Sequence, residues 1–192
     1  MRSVAGAAKF EREKWQKELT PTLNLWKKLN QGSALLQMKL SREDESAGNS
    51  SSPVQAFVES EFRQGVMLLQ KMHKSLSGLS KVIRGQQLLD EEVSRLADSL
   101  LRQETPGKWL KMWEGSEDPL DYIETVVAKV SEVQKWKNAS GSILSKDLDL
   151  SDLLHPGTFL GALRQETARQ YRDGCQMAIA KFLDHRSLAL QA

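Results

Sequence analysis

A long run of regularly spaced apolar residues begins after Pro53 and narrows the possible folds of this protein considerably. Its members recur alternately four and three positions apart: Val58, Phe62, Gly65, Leu69, Met72, Leu76, Leu79 and Ile83. A repeat of 3.5 residues over about four heptads is typical of a helix that packs along its whole length. Further apolar residues widen the stripe, which favours a bundle around the helix. We therefore predict one long coiled-coil-like helix over about 53–84, within an irregular helical bundle.

The segment before this helix has a helical pattern with a proline inside it. Large apolar residues recur between Phe10 and Gly32, and Thr20-Pro21 stands in the middle of them. Proline is favoured in the first turn of a helix and threonine can cap one, so we predict two helices that meet at this dipeptide. Gly32 is expected to end the second helix.

Boundary residues also recur after the long helix. Gly85 is expected to end it, and Asp90 is placed to cap the next helix. Asp118-Pro119 combines a capping residue with proline at the first helical position, and predicts a helix that ends near 138–141.

The remaining elements are also helical in pattern. A short turn is expected to carry Trp109 and Trp113 on one face, because residues four apart are neighbours on a helix. Another turn is predicted over 148–154, and a last helix from about 156 to 180. No window keeps a period of two, so the predicted fold class is all-α.

The predicted core combines the seam with apolar and aromatic residues of later elements. These packing residues are Val58, Phe62, Leu69, Met72, Leu76, Leu79, Ile83, Trp109, Trp113, Phe159, Leu160 and Leu163. Burial of each large side chain should stabilise the fold by roughly 1.5–3 kcal/mol. The five tryptophans are interpreted as core residues or, alternatively, as part of a partner-binding surface, where tryptophan is enriched.

The composition is that of a globular protein with nearly balanced charge. Charged residues make up 27% and the formal net charge is +2. Lys and Arg form no run of five, which argues against a nucleic-acid surface. No apolar stretch has the length of a membrane span, and the first fourteen residues lack a signal-peptide core. Cys175 is the only cysteine, so an internal disulfide is impossible and a reducing, intracellular compartment is expected.

The sequence contains no recognisable catalytic, metal-binding or cofactor-binding constellation. A phosphate-binding loop needs G-x-x-x-x-G-K-[ST], but Gly107-Lys108 is followed by Trp109, and Arg102 occupies the place of the first glycine. The three histidines and Cys175 lack the short spacings of zinc ligands. A G-x-S-x-G nucleophile elbow is also absent. We therefore expect no enzyme activity, cofactor or metal in this protein segment.

Four segments, in order, carry a more specific pattern. They are FEREKWQKELTPTLNLWKKLNQGS (10–33), SLSGLSKVIRGQQLL (75–89), LADSLLRQETPGKWLKMWEGSEDPLDYI (96–123) and DLDLSDLLHPGTFLGALRQETAR (147–169). A helix ending in I-[KR]-G is followed by P-x-x-W and then by H-P-x-T-F-L-x-A-L-R-Q-E-T-A-R. This pattern resembles the C-terminal region of dynein heavy chains, specifically of the cytoplasmic dynein 2 (intraflagellar transport) type.

The resemblance implies a division of the sequence. Residues 1–40 resemble the helical lid that ends the last AAA+ module of the motor ring. Residues 41–52 lack large apolar side chains and have the composition of a flexible linker. Residues 53–169 resemble the helical part of the C-terminal domain. Residues 170–192 diverge from the family, whose domain continues into a β-rich end that is absent from this sequence.

The resemblance also implies a function. The segment would be a structural and regulatory part of a minus-end-directed microtubule motor for retrograde transport in cilia, without an ATPase site of its own. The implied partners are the AAA+ ring of the same heavy chain and other dynein subunits, with microtubules reached only through the parent motor. ATP and Mg²⁺ would bind elsewhere in that motor. The implied location is the cytoplasm, the cytoskeleton and the cilium, with no nucleic acid and no membrane span.

Another class of function remains open on the residues alone. The long helix could serve a stand-alone helical adaptor that binds other proteins, since nothing in the composition excludes it.

Two positions also depart from the family pattern. Gly157 replaces an acidic residue and Gly161 a polar one, each at a cost of roughly 1 kcal/mol relative to alanine in a helix.

Overall fold

The computed structural model describes residues 11–38, 40, 52–138 and 149–189, with the side chains of the last helix as far as residue 172. Within these ranges the protein forms six α-helices and no strand, which confirms the predicted all-α class. The predicted linker over 41–52 lies outside the described residues, except for its last position. The helices are α1 (Arg12–Leu29), α2 (Pro53–Ile83), α3 (Glu91–Leu101), α4 (Gly107–Leu110), α5 (Pro119–Asn138) and α6 (Pro156–Ala189), with 3-10 turns at Ala34–Gln37 and Leu150–Asp152.

Helix α2 lies at the centre of the core, and all the other described helices contact it. Its buried residues include the predicted seam and also Val54, Phe57, Val66 and Leu68 beside the seam. The apolar surface of α2 therefore meets several neighbours instead of one parallel helix. The long helix is present, but its coiled-coil-like character is not confirmed.

Both ends of α2 are closed by local hydrogen bonds. At the start, the Ser52 hydroxyl accepts from the Gln55 backbone N–H at 3.3 Å, and Pro53 occupies the first helical position. At the end, Gly85 adopts φ of 73°, which lets its N–H and that of Gln86 return to the last carbonyls of the helix. This Schellman motif needs a left-handed residue, and glycine adopts that conformation without strain.

Helix α1 is a single helix, and the predicted break at Thr20-Pro21 is wrong. Pro21 lies inside the helix on its exposed side. An interior proline removes a backbone hydrogen bond and costs about 3 kcal/mol. The opposite face buries Trp15, Leu19 and Trp26 in the core. Burial of three such side chains, at roughly 1.5–3 kcal/mol each, outweighs that cost.

Capping carboxylates set the starts of α3 and α5, as predicted. Asp90 accepts from the Val93 backbone N–H at 2.8 Å. Asp118 accepts from the backbone N–H groups of Leu120 and Asp121, each at 2.9 Å. An acceptor at this position satisfies amides that have no partner inside the helix.

Helix α6 is longer than predicted. It begins at Pro156, as expected, but continues to Ala189, so the predicted end near position 180 is wrong. No proline follows Pro156, and Gly174 is accommodated inside the helix. A helix without a breaker can continue past the last residue that fits an apolar pattern.

Helices α2 and α5 approach closely at Gly65. A Cβ atom added to this glycine would lie 2.6 Å from Cγ2 of Val130, which is closer than packed carbon atoms come. Gly65 thus lies in the predicted seam because a side chain there would separate the two helices.

We expect Gly65→Ala to lower the free energy of unfolding by about 1–3 kcal/mol relative to Gly78→Ala. Both changes add a methyl group to α2 and raise helix propensity equally, but the new Cβ at Gly78 would lie 3.5 Å from its nearest neighbour, Cγ2 of Val93. Urea unfolding of the two variants measures the difference. Equal stability of the two variants would show that α5 is not packed tightly on α2.

Candidate functional site: the lysine groove, the polar junctions and the apolar loop

A cavity of about 420 Å³ lies where α2, α3 and α4 meet, and Leu96 and Trp109 form part of its apolar wall. On its rim, Glu92 accepts from Lys108 Nζ at 2.9 Å and lies 3.4 Å from Lys71 Nζ. The hydrogen bonds from Lys108 and Lys71 lower the pKa of the Glu92 carboxyl. This carboxylate links α3 to α2 and to α4.

A second cavity of about 360 Å³ adjoins the first one along α2 and α3. The two cavities share Lys71, Ser75, Glu92 and Leu96 in their linings. We call the combined depression the lysine groove, because lysines dominate the charged side chains along it. His73 lies beside it and accepts from Trp26 Nε1 at 3.3 Å, which joins α1 to α2.

The buried Tyr122 fixes the segment that carries α4. Its hydroxyl lies 3.0 Å from the carbonyl oxygens of both Trp109 and Trp113, which share its single proton. Trp109 in turn donates from Nε1 to the Ser75 hydroxyl at 3.2 Å. Burial raises the pKa of the Tyr122 hydroxyl, so the neutral, donating form is favoured in the fold.

The turn before α6 is held by donors from two other segments. Trp113 Nε1 donates to the Leu154 carbonyl at 3.0 Å. Lys129 of α5 donates to the carbonyls of Leu153, at 3.0 Å, and Ser151. The same ammonium group lies 5.8 Å from the Trp113 ring centroid, within cation–π range. These contacts fix where α6 starts.

A buried carboxylate joins α2 to the first turn of α6. Glu61 is only 2% exposed. One of its oxygens accepts from the His155 backbone N–H at 2.8 Å, and the other lies 2.8 Å from His155 Nδ1. A buried carboxylate is tolerated only when its oxygens have such partners. Both the backbone and the ring of His155 therefore contact one side chain of α2.

The loop between α2 and α3 exposes two leucines. Leu88 is 90% exposed and Leu89 is 38% exposed. Beside them lies a cavity of about 490 Å³ that is also lined by Arg12, Val82 and Gln87. Arg12 Nε donates to the Ile83 carbonyl at 2.7 Å, which holds the start of α1 against the end of α2. We call residues 85–89 the apolar loop.

The predicted packing residues fall into three groups. Trp113 and Leu163 are partly buried against the core, whereas Leu160 is 43% exposed. The expectation for Leu160 is corrected: α6 turns His155, Phe159 and Leu163 inward, and the next residue after Phe159 points about 100° away. The remaining ones are buried, namely Val58, Phe62, Leu69, Met72, Leu76, Leu79, Ile83, Trp109 and Phe159.

Sequence reasoning missed two of the buried polar residues. Glu61 lies within the apolar stripe of α2, and a lone carboxylate at such a position is a detectable signal that it needs a buried partner. Tyr122 follows the Asp118 cap by four residues and leaves no such signal, because tyrosine is common in cores.

In the described ranges, no helix is both long and apolar enough to cross a membrane. Among the same residues, no group of three or more His, Cys, Asp and Glu side chains could hold a metal ion.

Comparison with known proteins gives a family. The family model for the C-terminal domain of the dynein heavy chain matches residues 2–182. The protein belongs to this dynein heavy chain family. It is similar to cytoplasmic dynein 2 heavy chain 1 of Rattus norvegicus, with 48% identity over 184 residues that cover 95% of this sequence and 4% of that protein.

Two further relatives carry the same name. The protein of Homo sapiens is 49% identical over 170 residues, which cover 88% of this sequence and 4% of the relative. The protein of Chlamydomonas reinhardtii is 35% identical over 187 residues, which cover 91% of this sequence and 4% of the relative. The sequence thus spans about 4% of the length of these dynein relatives. The resemblance to the cytoplasmic dynein 2 type is confirmed, whereas the division at residues 40, 52 and 169 stays a prediction.

For this dynein segment we predict that Glu61→Gln lowers the free energy of unfolding by about 1–3 kcal/mol. The amide nitrogen cannot accept, so the hydrogen bond from a protonated Nδ1 of His155 to a charged oxygen is lost, and the imidazole must move its proton to Nε2 before Nδ1 can accept from the amide. Glu59→Gln is the matched control, because the half-buried Glu59 lies two residues earlier on α2 and accepts from the Gln55 amide of its own helix, at 3.4 Å. Urea unfolding measures both. Equal losses would mean that the Glu61–His155 contact does not hold α6.

A second prediction concerns alkaline pH. Since the pKa of Tyr122 is raised by burial, the folded state keeps a proton that the unfolded state releases above about pH 10. The contribution of Tyr122 to the free energy of unfolding is therefore complete below that pH and is lost as the pH rises beyond it. Tyr122→Phe should remove the part of this loss of stability that comes from Tyr122, whereas Tyr171→Phe, at an exposed position, should not. Unfolding free energies measured across this range test the prediction, and identical pH slopes in the two variants would contradict it.

Proposed function

We propose that this protein is a structural and regulatory segment of a cytoplasmic dynein 2-type heavy chain, without an ATPase site of its own. The observation that carries the proposal is the alignment, in which 95% of the sequence matches only 4% of the relative at 48% identity. The parent motor would move toward microtubule minus ends and drive retrograde transport in cilia. ATP and Mg²⁺ would act in the AAA+ modules of that motor, in the cytoskeleton and cilium.

The proposed direct partner is the AAA+ ring of the same heavy chain, with other dynein subunits beside it. The apolar loop supports docking on another protein surface, because Leu88 exposes nearly its whole side chain to water. Neighbouring exposed leucines gain free energy when a partner covers them, by roughly 25 cal/mol per Å² of apolar surface. The relatives are many times longer than this sequence, which covers 4% of them, and the rest of such a polypeptide can supply this partner.

The native polypeptide should be captured from ciliated cells with an antibody against residues 86–104 and mapped by mass spectrometry. We expect peptides of upstream AAA+ modules in one very large band. A band near 21.6 kDa without upstream peptides would contradict the proposal and make the protein a stand-alone helical adaptor.

The docking role predicts that Leu88→Asp lowers the speed of microtubule gliding by the full-length motor or changes its ATPase rate. The side chain is almost fully exposed, so the stability of the 192-residue protein should change by less than about 0.5 kcal/mol. Leu120→Asp is the matched control, since Leu120 lies on the first turn of α5 and is 39% exposed. Unaltered motility in Leu88→Asp, or equal effects of both changes, would argue against docking through the apolar loop.

A further inference from the structure

We propose that the lysine groove binds an acidic polypeptide segment of the same heavy chain that lies outside these 192 residues. This inference rests on the proposed function and adds the chemistry of the docking partner. It is carried by uncompensated charge, by the shape of the groove and by its position beside the apolar loop.

The charges along the groove are not balanced. Arg95 and Arg102 also line it, but they pair with Glu91 and Glu104, so the uncompensated positive charge comes from the lysines. Two of these, Lys71 and Lys108, share the single carboxylate of Glu92. Three more are exposed, and no described carboxylate forms an ion pair with them, namely Lys74, Lys81 and Lys111.

The carboxylates of the groove do not offset the positive charge of these lysines. Asp90 accepts from the Val93 backbone N–H as the cap of α3. Glu92 already lies between two lysines, and their hydrogen bonds and positive charge lower the pKa of its carboxyl. A partner that brings carboxylates would therefore meet lysines that have no ion pair among the described residues, which favours association at low ionic strength.

Three of the groove lysines follow one another along α2. Lys71, Lys74 and Lys81 lie on one face of α2, and the small residues Ser75 and Gly78 lie between them. Ten residues of helix extend over about 15 Å, so the lysines can contact several side chains of one segment. Such an arrangement suits a short helix or extended strand with repeated Asp or Glu.

The lining favours a polypeptide over a nucleic acid. Leu96 and Trp109 provide an apolar wall beside the lysines. A polypeptide can bring apolar side chains for this wall together with carboxylates for the lysines, whereas a phosphate backbone brings charged acceptors alone. Gln87 lines both the groove and the cavity of the apolar loop, so one docking surface can cover both.

Zero-length cross-linking of the purified full-length heavy chain tests this inference. A carbodiimide activates a carboxylate, the lysine Nζ attacks it, and an amide bond forms as the urea by-product leaves. We expect mass spectrometry to find Lys74, Lys81 and Lys111 joined to Asp or Glu of upstream sequence. Their yields should be severalfold above those of the exposed Lys14, Lys17 and Lys27 on α1, and should fall as salt is raised.

Charge reversal supplies the matched control. Lys74→Glu together with Lys111→Glu should reduce the remaining cross-link of Lys81 severalfold, whereas Lys14→Glu with Lys17→Glu should leave it unchanged. Circular dichroism checks that each variant is folded. The inference would be overturned if the groove lysines gave cross-link yields no higher than those of the α1 lysines. It would also be overturned if they formed cross-links only to carboxylates within the 192 residues.

The other possible occupants also have distinct outcomes. Cross-links to a different polypeptide would overturn the commitment to the heavy chain. Binding of a single-stranded oligonucleotide, abolished by the groove double variant and not by the α1 double variant, would replace the acidic segment by a nucleic acid. Failure of the proposed function itself is recognised separately, since the captured protein would then contain no upstream peptides at all.

Discussion

Every other described helix of this bundle packs against α2, which is buried on several sides at once. A helix of 31 residues with so wide an apolar surface cannot be covered by one neighbour. Helices α1, α3, α5 and α6 each cover part of it, and Gly65 lets α5 come close enough to exclude water. The short α4 contacts α2 beside α3. The bundle is irregular because its helices are arranged around α2 and not around a shared axis.

Polar groups buried beside α2 determine which segment lies where. Apolar contact is non-directional, and several arrangements of helices could cover the same surface. The Glu61 carboxylate can only accept hydrogen bonds, and His155, immediately before α6, lies at both of its oxygens. Tyr122 likewise holds the carbonyls of the α4 segment. A wrong arrangement would leave these groups without partners, at a cost of about 1–3 kcal/mol each, so they favour one packing over others.

Much of the fold could be predicted from the sequence where the deciding interaction is local. Gly85 and Asp90 mark helix ends through hydrogen bonds to their own neighbours, and the α2 seam is a periodic signal. The break at Pro21 was wrong because burial of Trp15 and Trp26, a tertiary effect, outweighs a local preference. Leu160 was misplaced because a pair of adjacent apolar residues does not tell which one faces inward. The groove and apolar loop combine residues of different helices, and the sequence alone does not place these together.

Native-state hydrogen exchange of the 192-residue protein would show whether α2 is the element on which all the other helices pack. If it is, its amides between Val66 and Leu79 should exchange only through global unfolding and be the slowest of all. The amides of α3 and those of α6 beyond Glu166 should exchange faster through local opening. The central position of α2 would be contradicted if its amides exchanged as fast as those of α3 while α5 stayed protected, because the bundle would then hold together without α2.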